Sequence, residues 1–323
     1  MKKYPLLMRP VSKQTIWGGE RLKKEYGKTA SFDKISESWE LTSRPDGMSI
    51  IENGEYTGMT LAEYYELGET DILGKNCRRY DRFPLLIKFI DAADRLSIQV
   101  HPDNEYAQKN HGEFGKTEMW YIVDCEKDSK LVYGLRAGCT AEDLKKAVSE
   151  GRVEDVMNYV PVKKSEVYFI PSGQVHAIGA GILIAEIQQN SNITYRVYDY
   201  NRIQADGKPR ELHTDRALDV IRTRTEDEIN ALRFAVPDDK GDFDTLCSCE
   251  YFTVRRYVTD GEREIFVSDD SFVSVLVLEA TEASISCAGN RCDIKKGDSF
   301  FIPAGSGEVI IRGKCDIITS KIN

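Results

Sequence analysis

A ten-residue stretch is written twice in this 323-residue chain. Lys164-Ser165-Glu166-Val167-Tyr168-Phe169-Ile170-Pro171-Ser172-Gly173 aligns without gaps on Lys296-Gly297-Asp298-Ser299-Phe300-Phe301-Ile302-Pro303-Ala304-Gly305. Each copy is a strand that delivers the chain into Pro-x-Gly, where proline presets φ and glycine permits the reversal. A repeated strand-and-turn unit constrains the chain to repeat the sheet around it, so two β domains of related build are expected. The copies diverge three residues past the glycine, where the first carries His176 and the second Glu308. The length accommodates two modest domains, each with its own core. The most loop-like stretch is Ala235–Ser248, with Pro237-Asp238-Asp239-Lys240-Gly241 at its centre. It sets the expected domains at 1–240 and 241–323.

The rest of the pattern is mainly β. Pro84–Ile90, Leu96–His101, Met119–Val123, Val167–Ile170 and Ile182–Ile187 are short β-rich runs broken by Gly, Pro, Asn or Asp. From Tyr251 onward nearly everything reads as strand and turn, as in a sandwich or barrel. Helical periodicity is limited to Gly19–Tyr26, Thr60–Leu67, Thr140–Glu150 and Leu212–Arg222, and Thr140 with Asp143 forms a capping pattern. No apolar run approaches the ~20 residues of a bilayer span, and no signal-peptide pattern opens the chain. Cytoplasm is therefore the expected compartment. The net charge of −9 argues against nucleic acid or an anionic membrane as partner. A small anion would have to be met by a local basic cluster. The eight cysteines are scattered without a C-x-x-C pair, which reads as reduced thiols.

The chain has four histidines, at 101, 111, 176 and 213. Leu96-Ser97-Ile98-Gln99-Val100-His101 alternates strictly, so Ser97, Gln99 and His101 share one strand face opposite an aliphatic one. Burying three polar groups there unpaired is costly, so that face needs a purpose. Glu118 heads the strand at Met119–Val123, and His176 follows the Pro-x-Gly turn. Gln99, His101, Glu118 and His176 together offer two imidazoles, a carboxylate and an amide oxygen. Such a set suits a borderline divalent metal such as zinc, one per chain, with room for water or substrate. Taken singly, each histidine is as well explained by one hydrogen bond near a turn; His111 and His213, without ligand-like partners, keep that bland explanation. Residues 241–323 contain no histidine, so the second domain is expected to bind no metal.

Anion recognition has its own candidates. Glu186 ends an apolar run and is either solvated or placed for a purpose. Arg196 alternates with Thr194 and Tyr198 on one strand face, and guanidinium forks bidentately onto oxyanions. Arg202 alone reads more simply as a surface salt bridge. Lys88, isolated in Leu85-Leu86-Ile87-Lys88-Phe89-Ile90, requires an anion or a path to water.

These segments together carry a resemblance. Leu96-Ser97-Ile98-Gln99-Val100-His101-Pro102, the Lys116-x-Glu118 pair, Pro171-x-Gly173-x-x-His176-Ala177, the Asn190-Ser191-Asn192 to Arg196 segment and Trp17-Gly18 resemble, in order, the motifs of type I phosphomannose isomerases of the cupin superfamily, in their short bacterial form. The resemblance implies two cupin-type jelly-roll domains with a small helical insertion, and zinc held by Gln99, His101, Glu118 and His176. It further implies interconversion of mannose 6-phosphate and fructose 6-phosphate, with Arg196 catalytic, Lys116 and Glu186 lining the site, and Ser97, Lys88 and Arg202 as phosphate contacts. Two features depart from the family: the larger helical domain of its longer members is missing, and Ile178 stands where many members have an aromatic residue.

The reaction needs removal of a proton α to a carbonyl and its return to the neighbouring carbon. That calls for a general base, for which Glu186 and Lys116 are the candidates, and for a cation such as Arg196 to offset enediolate charge. Two rivals fit parts of the pattern. His101, Glu118 and His176 alone would make the two-His-one-carboxylate set of a non-haem cupin oxygenase, and a sugar-binding cupin without catalysis would use the same scaffold.

Overall fold

The computed structural model describes residues 2–68, 72–204, 206–235 and 244–323; the expected boundary at 240/241 lies outside the described residues. The chain is mainly β, as its pattern implies. A seven-stranded sheet runs in the order Arg233–Ala235, Glu166–Ile170, Glu118–Cys125, Ile182–Gln189, Leu85–Ala92, Glu37–Leu41, Val11–Lys13. It faces a five-stranded sheet ordered Met157–Pro161, Lys130–Leu135, His176–Ala177, Ile98–Val100, Tyr195–Tyr198. The strands after Asp244 form a third sheet, which the N-terminal strand Leu6–Arg9 extends by pairing with Ser299–Ile302. The first strand of the chain is thus built into the second unit, a contact that local pattern does not encode.

All eight residues of Leu85–Ala92 and of Ile182–Gln189 are buried, which is why both read as near-continuous apolar runs. Alternation sends Ile87, Phe89, Met119, Tyr121, Ala185 and Ile187 outward, into a core shared with Phe252, Leu276, Phe301 and Ile318 of the third sheet. The alternate positions, Ile90, Trp120, Ile122 and Ile184, face inward against Tyr133 of the five-stranded sheet and against Leu96 and Ile178, which flank its strands. Lys88, Glu118 and Glu186 share that inward parity. Lys28 ties the units together, donating to Glu40 Oε2 at 2.7 Å and to the Gly297 carbonyl at 2.5 Å.

The expected helices form with shorter bounds: Arg21–Lys24, Leu61–Leu67, Ala141–Ser149 and Thr214–Val220. Thr140 and Asp143 make the capping box. Helix Asn104–His111 was not expected, because its sequence is polar all round and offers no apolar stripe. Asp103 begins it with a side-chain cap onto Tyr106 N–H. No helix among the described residues is long and apolar enough to cross a membrane.

Candidate functional site

Register converts separate sequence motifs into one cluster. His176 is paired with Gln99, and Gln99 in turn with Arg196. In the facing sheet Glu186 lies between Lys88 and Trp120, and Gln188 beside Glu118. With side chains of one parity turned inward from both sheets, His101, Glu118 and His176 offer ligand atoms that all lie within 4.8 Å of one another.

Backbone carbonyls set the imidazole tautomers. His101 Nδ1 donates to the Ile193 carbonyl at 2.8 Å, and His176 Nδ1 donates to that of Gln174 at 2.8 Å. Each Nε2 then presents a lone pair, and the two stand 3.1 Å apart. Glu118 Oε1 is 3.4 Å from His176 Nε2 and has no hydrogen-bond partner, while Oε2 is 3.7 Å from His101 Nε2. Converging lone pairs beside a buried, orphaned carboxylate oxygen repel one another unless a cation lies among them. The donor set therefore fits a divalent metal. Gln99 turns its amide NH₂ to His176 Nε2 at 3.4 Å; as a ligand it would turn its oxygen there instead. Burial holds both imidazoles below their usual value, His176 at about 3, which keeps Nε2 unprotonated. Burial, then the nearby Glu186, pushes Glu118 up to about 7.

A cavity of about 350 Å³ opens beside this cluster. Its walls include Lys88, Ser97, Gln99, Lys116, Glu186 and Arg196. Lys116 Nζ stands 2.6 Å from Glu118 Oε2, 3.1 Å from His101 Nε2 and 3.9 Å from Glu186 Oε1. Lys88 Nζ lies between Glu37, at 3.1 Å, and Glu186, at 3.3 Å. The anion that a buried lysine requires is thus a pair of carboxylates. Trp120 Nε1 donates to Glu186 Oε2 at 3.0 Å, whereas Oε1 has no hydrogen-bond partner. Burial pushes the Glu186 carboxyl up, but Lys116 and Lys88 outweigh it and hold it below the ordinary value.

Nine of the ten expected site residues thus come together: six line the cavity, and His101, Glu118 and His176 cluster beside it. Arg202 is set apart: its guanidinium contacts Asp199 at 2.5 Å, the Arg95 carbonyl at 2.5 Å and Asp94 at 3.4 Å, and it is not among the residues lining the cavity. Arg210 lines the cavity instead, its Nε donating to Asp199 Oδ2 at 2.7 Å. It lies in a polar loop without periodicity, so no sequence signal marked it. Trp120 and Glu37 were also missed. Trp120 shares parity with Glu118 and was legible in principle, while Glu37 reaches Lys88 only through strand pairing.

Comparison with known proteins places these observations in a family. Residues 6–135 match the family described as phosphomannose isomerase type I, catalytic domain, and residues 242–322 match mannose-6-phosphate isomerase, cupin domain. The chain is 39% identical over 319 residues to mannose-6-phosphate isomerase ManA of Bacillus subtilis (strain 168), covering 98% of this chain and 99% of that protein. It is 34% identical to mannose-6-phosphate isomerase of Streptococcus mutans, covering 99% and 98%. The crystal structure of the mannose 6-phosphate isomerase from Bacillus subtilis superposes with a TM-score of 0.87 at 34% identity, covering 99% of each chain.

Proposed function

The chain belongs to the type I mannose-6-phosphate isomerase family, and from that premise we propose that it is a metal-dependent aldose-ketose isomerase interconverting mannose 6-phosphate and fructose 6-phosphate. The observation that carries this reading is the convergence of His101, Glu118 and His176, with Glu118 Oε1 left unpartnered, beside a cavity walled by Lys116, Glu186 and Arg196. Neither an oxygenase nor a sugar-binding cupin without catalysis is favoured.

His101, Glu118 and His176, with Gln99 as a fourth ligand, would hold one zinc per chain. When bound, the metal supplies Lewis-acid polarisation of substrate oxygens and fixes their orientation. The remaining work belongs to side chains. Glu186 is ionised, has a free lone pair on Oε1 and is sheltered from water, so it serves as the base that takes the proton from C2 and returns it to C1. Lys116, 3.9 Å away, is the alternative carrier. Arg196 offsets the charge that grows on the reacting oxygens through a cis-enediol route. Ser97 and Arg210, the latter in the place first expected for Arg202, meet the phosphate, while Lys88, expected from the sequence to do so, is held instead between Glu37 and Glu186. A reducing cytoplasmic setting suits the eight unpaired thiols.

The direct test supplies mannose 6-phosphate to the zinc-loaded protein and measures fructose 6-phosphate. Turnover is expected; a zinc-replete, folded protein that produces none would refute the reading.

A further inference from the structure

We infer that His213 is a positioning residue, which seats Arg196 by clasping its backbone and does so only while its Nδ1 can accept a hydrogen bond. The inference rests on the reading of Arg196 as the charge-offsetting cation. Strand Tyr195–Tyr198, which carries Arg196, is the edge of the five-stranded sheet. An edge strand leaves part of its backbone without a strand partner. At Arg196 those groups are taken by one residue. The Arg196 N–H donates to His213 Nδ1 at 3.2 Å, and the His213 N–H donates back to the Arg196 carbonyl at 2.7 Å. Two residues earlier on the same segment, the Glu211 carbonyl accepts from Arg196 Nη1 at 2.7 Å. Segment 211–213 thus fixes both the strand and the guanidinium that the strand presents to the cavity.

The side chain of His213 does nothing else of this kind. It precedes helix Thr214–Val220 yet makes no cap bond to it, being turned back onto Arg196. A histidine that accepts through Nδ1 carries its proton on Nε2, which here stands 3.7 Å from Glu211 Oε2. The other groups facing it are Arg196 on the edge strand, Arg216 on the following helix, and the Tyr195 ring, whose hydroxyl bonds His111 Nε2 at 2.7 Å. Burial, helped by Arg196 and Arg216 and opposed by Glu211, holds the imidazole below its ordinary value. At neutral pH the clasp is therefore closed. As pH falls through that lowered value, Nδ1 gains a proton, two donors face each other, and Arg196 loses its seat. Activity should fall on the acid side for this reason, apart from any loss of metal.

Two variants of the zinc-loaded protein test the inference, with metal content measured at each pH. His213→Leu removes the acceptor and should lower kcat by about tenfold, with a smaller change in KM for mannose 6-phosphate. His213→Asn places Oδ1 where Nδ1 stands and accepts at every pH. It should keep neutral-pH activity within about threefold, and as pH falls it should retain a larger fraction of that activity than the native protein does. A His213→Leu variant within twofold of native, or a His213→Asn variant with the native pH profile, overturns the inference. If His213→Leu does not fold, the His213→Asn profile decides alone. Arg196→Ala, measured alongside, separates the premises: full activity there would refute the role of Arg196. An inactive Arg196→Ala beside a native-like His213→Leu would refute only the clasp.

Discussion

The two copies of the repeat make the same turn and put it to different use. In the first, the Lys163 N–H donates to Glu166 Oε2 at 2.9 Å and Gln174 N–H to the Pro171 carbonyl at 3.1 Å. In the second, the Lys295 N–H donates to Asp298 Oδ2 at 2.7 Å and Ser306 N–H to the Pro303 carbonyl at 3.2 Å. Gly173 and Gly305 adopt φ of +82° and +71°, the conformation that favours glycine. Past the turn the copies separate. His176 is fully buried and converges on His101 and Glu118, whereas Glu308 is exposed. The second unit instead packs an apolar interior of Val275, Phe300, Ile302, Ile311 and Ile317, and its other face covers the back of the seven-stranded sheet. The turn is thus a folding device, and the donor set is an addition to one copy of it.

The comparison breaks most severely if polar residues of the first unit prove dispensable. Glu186→Gln should lower kcat by ~10²–10⁴-fold with metal retained, as loss of a general base does, and deuterium from D₂O should appear in the product. Lys116→Met should mainly raise KM if Glu186 is the base. If neither variant loses more than a few-fold and no deuterium enters, the proton-transfer assignment is wrong. Next in size is the substrate's phosphate. Losing two charge-assisted hydrogen bonds at ~1.5–3 kcal/mol each predicts that kcat/KM for mannose falls at least ~10²-fold below that for its 6-phosphate. Comparable values would contradict the basic wall.

The second unit should show its importance in stability alone. Phe301 stacks on Phe272 at 5.1 Å and lies 6.4 Å from Phe83 of the first unit. Phe301→Ala should cost ~3–5 kcal/mol in denaturant unfolding, while each folded chain keeps its metal. The smallest effect belongs to the exposed Glu308: Glu308→Ala should change stability by no more than about 0.5 kcal/mol. Glu308→His should add no second metal, because one histidine facing outward from an apolar unit has no partner ligands.

The parts of this fold written in local periodicity were legible. The alternation of Ser97, Gln99 and His101, the two turns and the Thr140–Asp143 cap needed only neighbours in sequence. Features set by pairing between distant strands were not. Glu37 meets Lys88 through strand register, Leu6–Arg9 joins a sheet almost 300 residues away in the chain, and Arg210 reaches the cavity from a loop held by Asp199. His213 shows the same limit, since its only signal was a missing partner and the partner is a backbone group on another strand.

The most direct test of the contrast between the two units is a count of bound metal in the native protein and in His176→Ala. Removing even a group that only hydrogen-bonds to a ligand typically costs ~10–100-fold in metal affinity or activity, so losing a ligand should cost more. The native protein should carry one tightly held divalent ion per chain, and His176→Ala should lose both the ion and turnover while keeping its fold by circular dichroism. Two ions in the native protein, or an unchanged ion content in His176→Ala, would contradict the assignment of the donor set to the first unit.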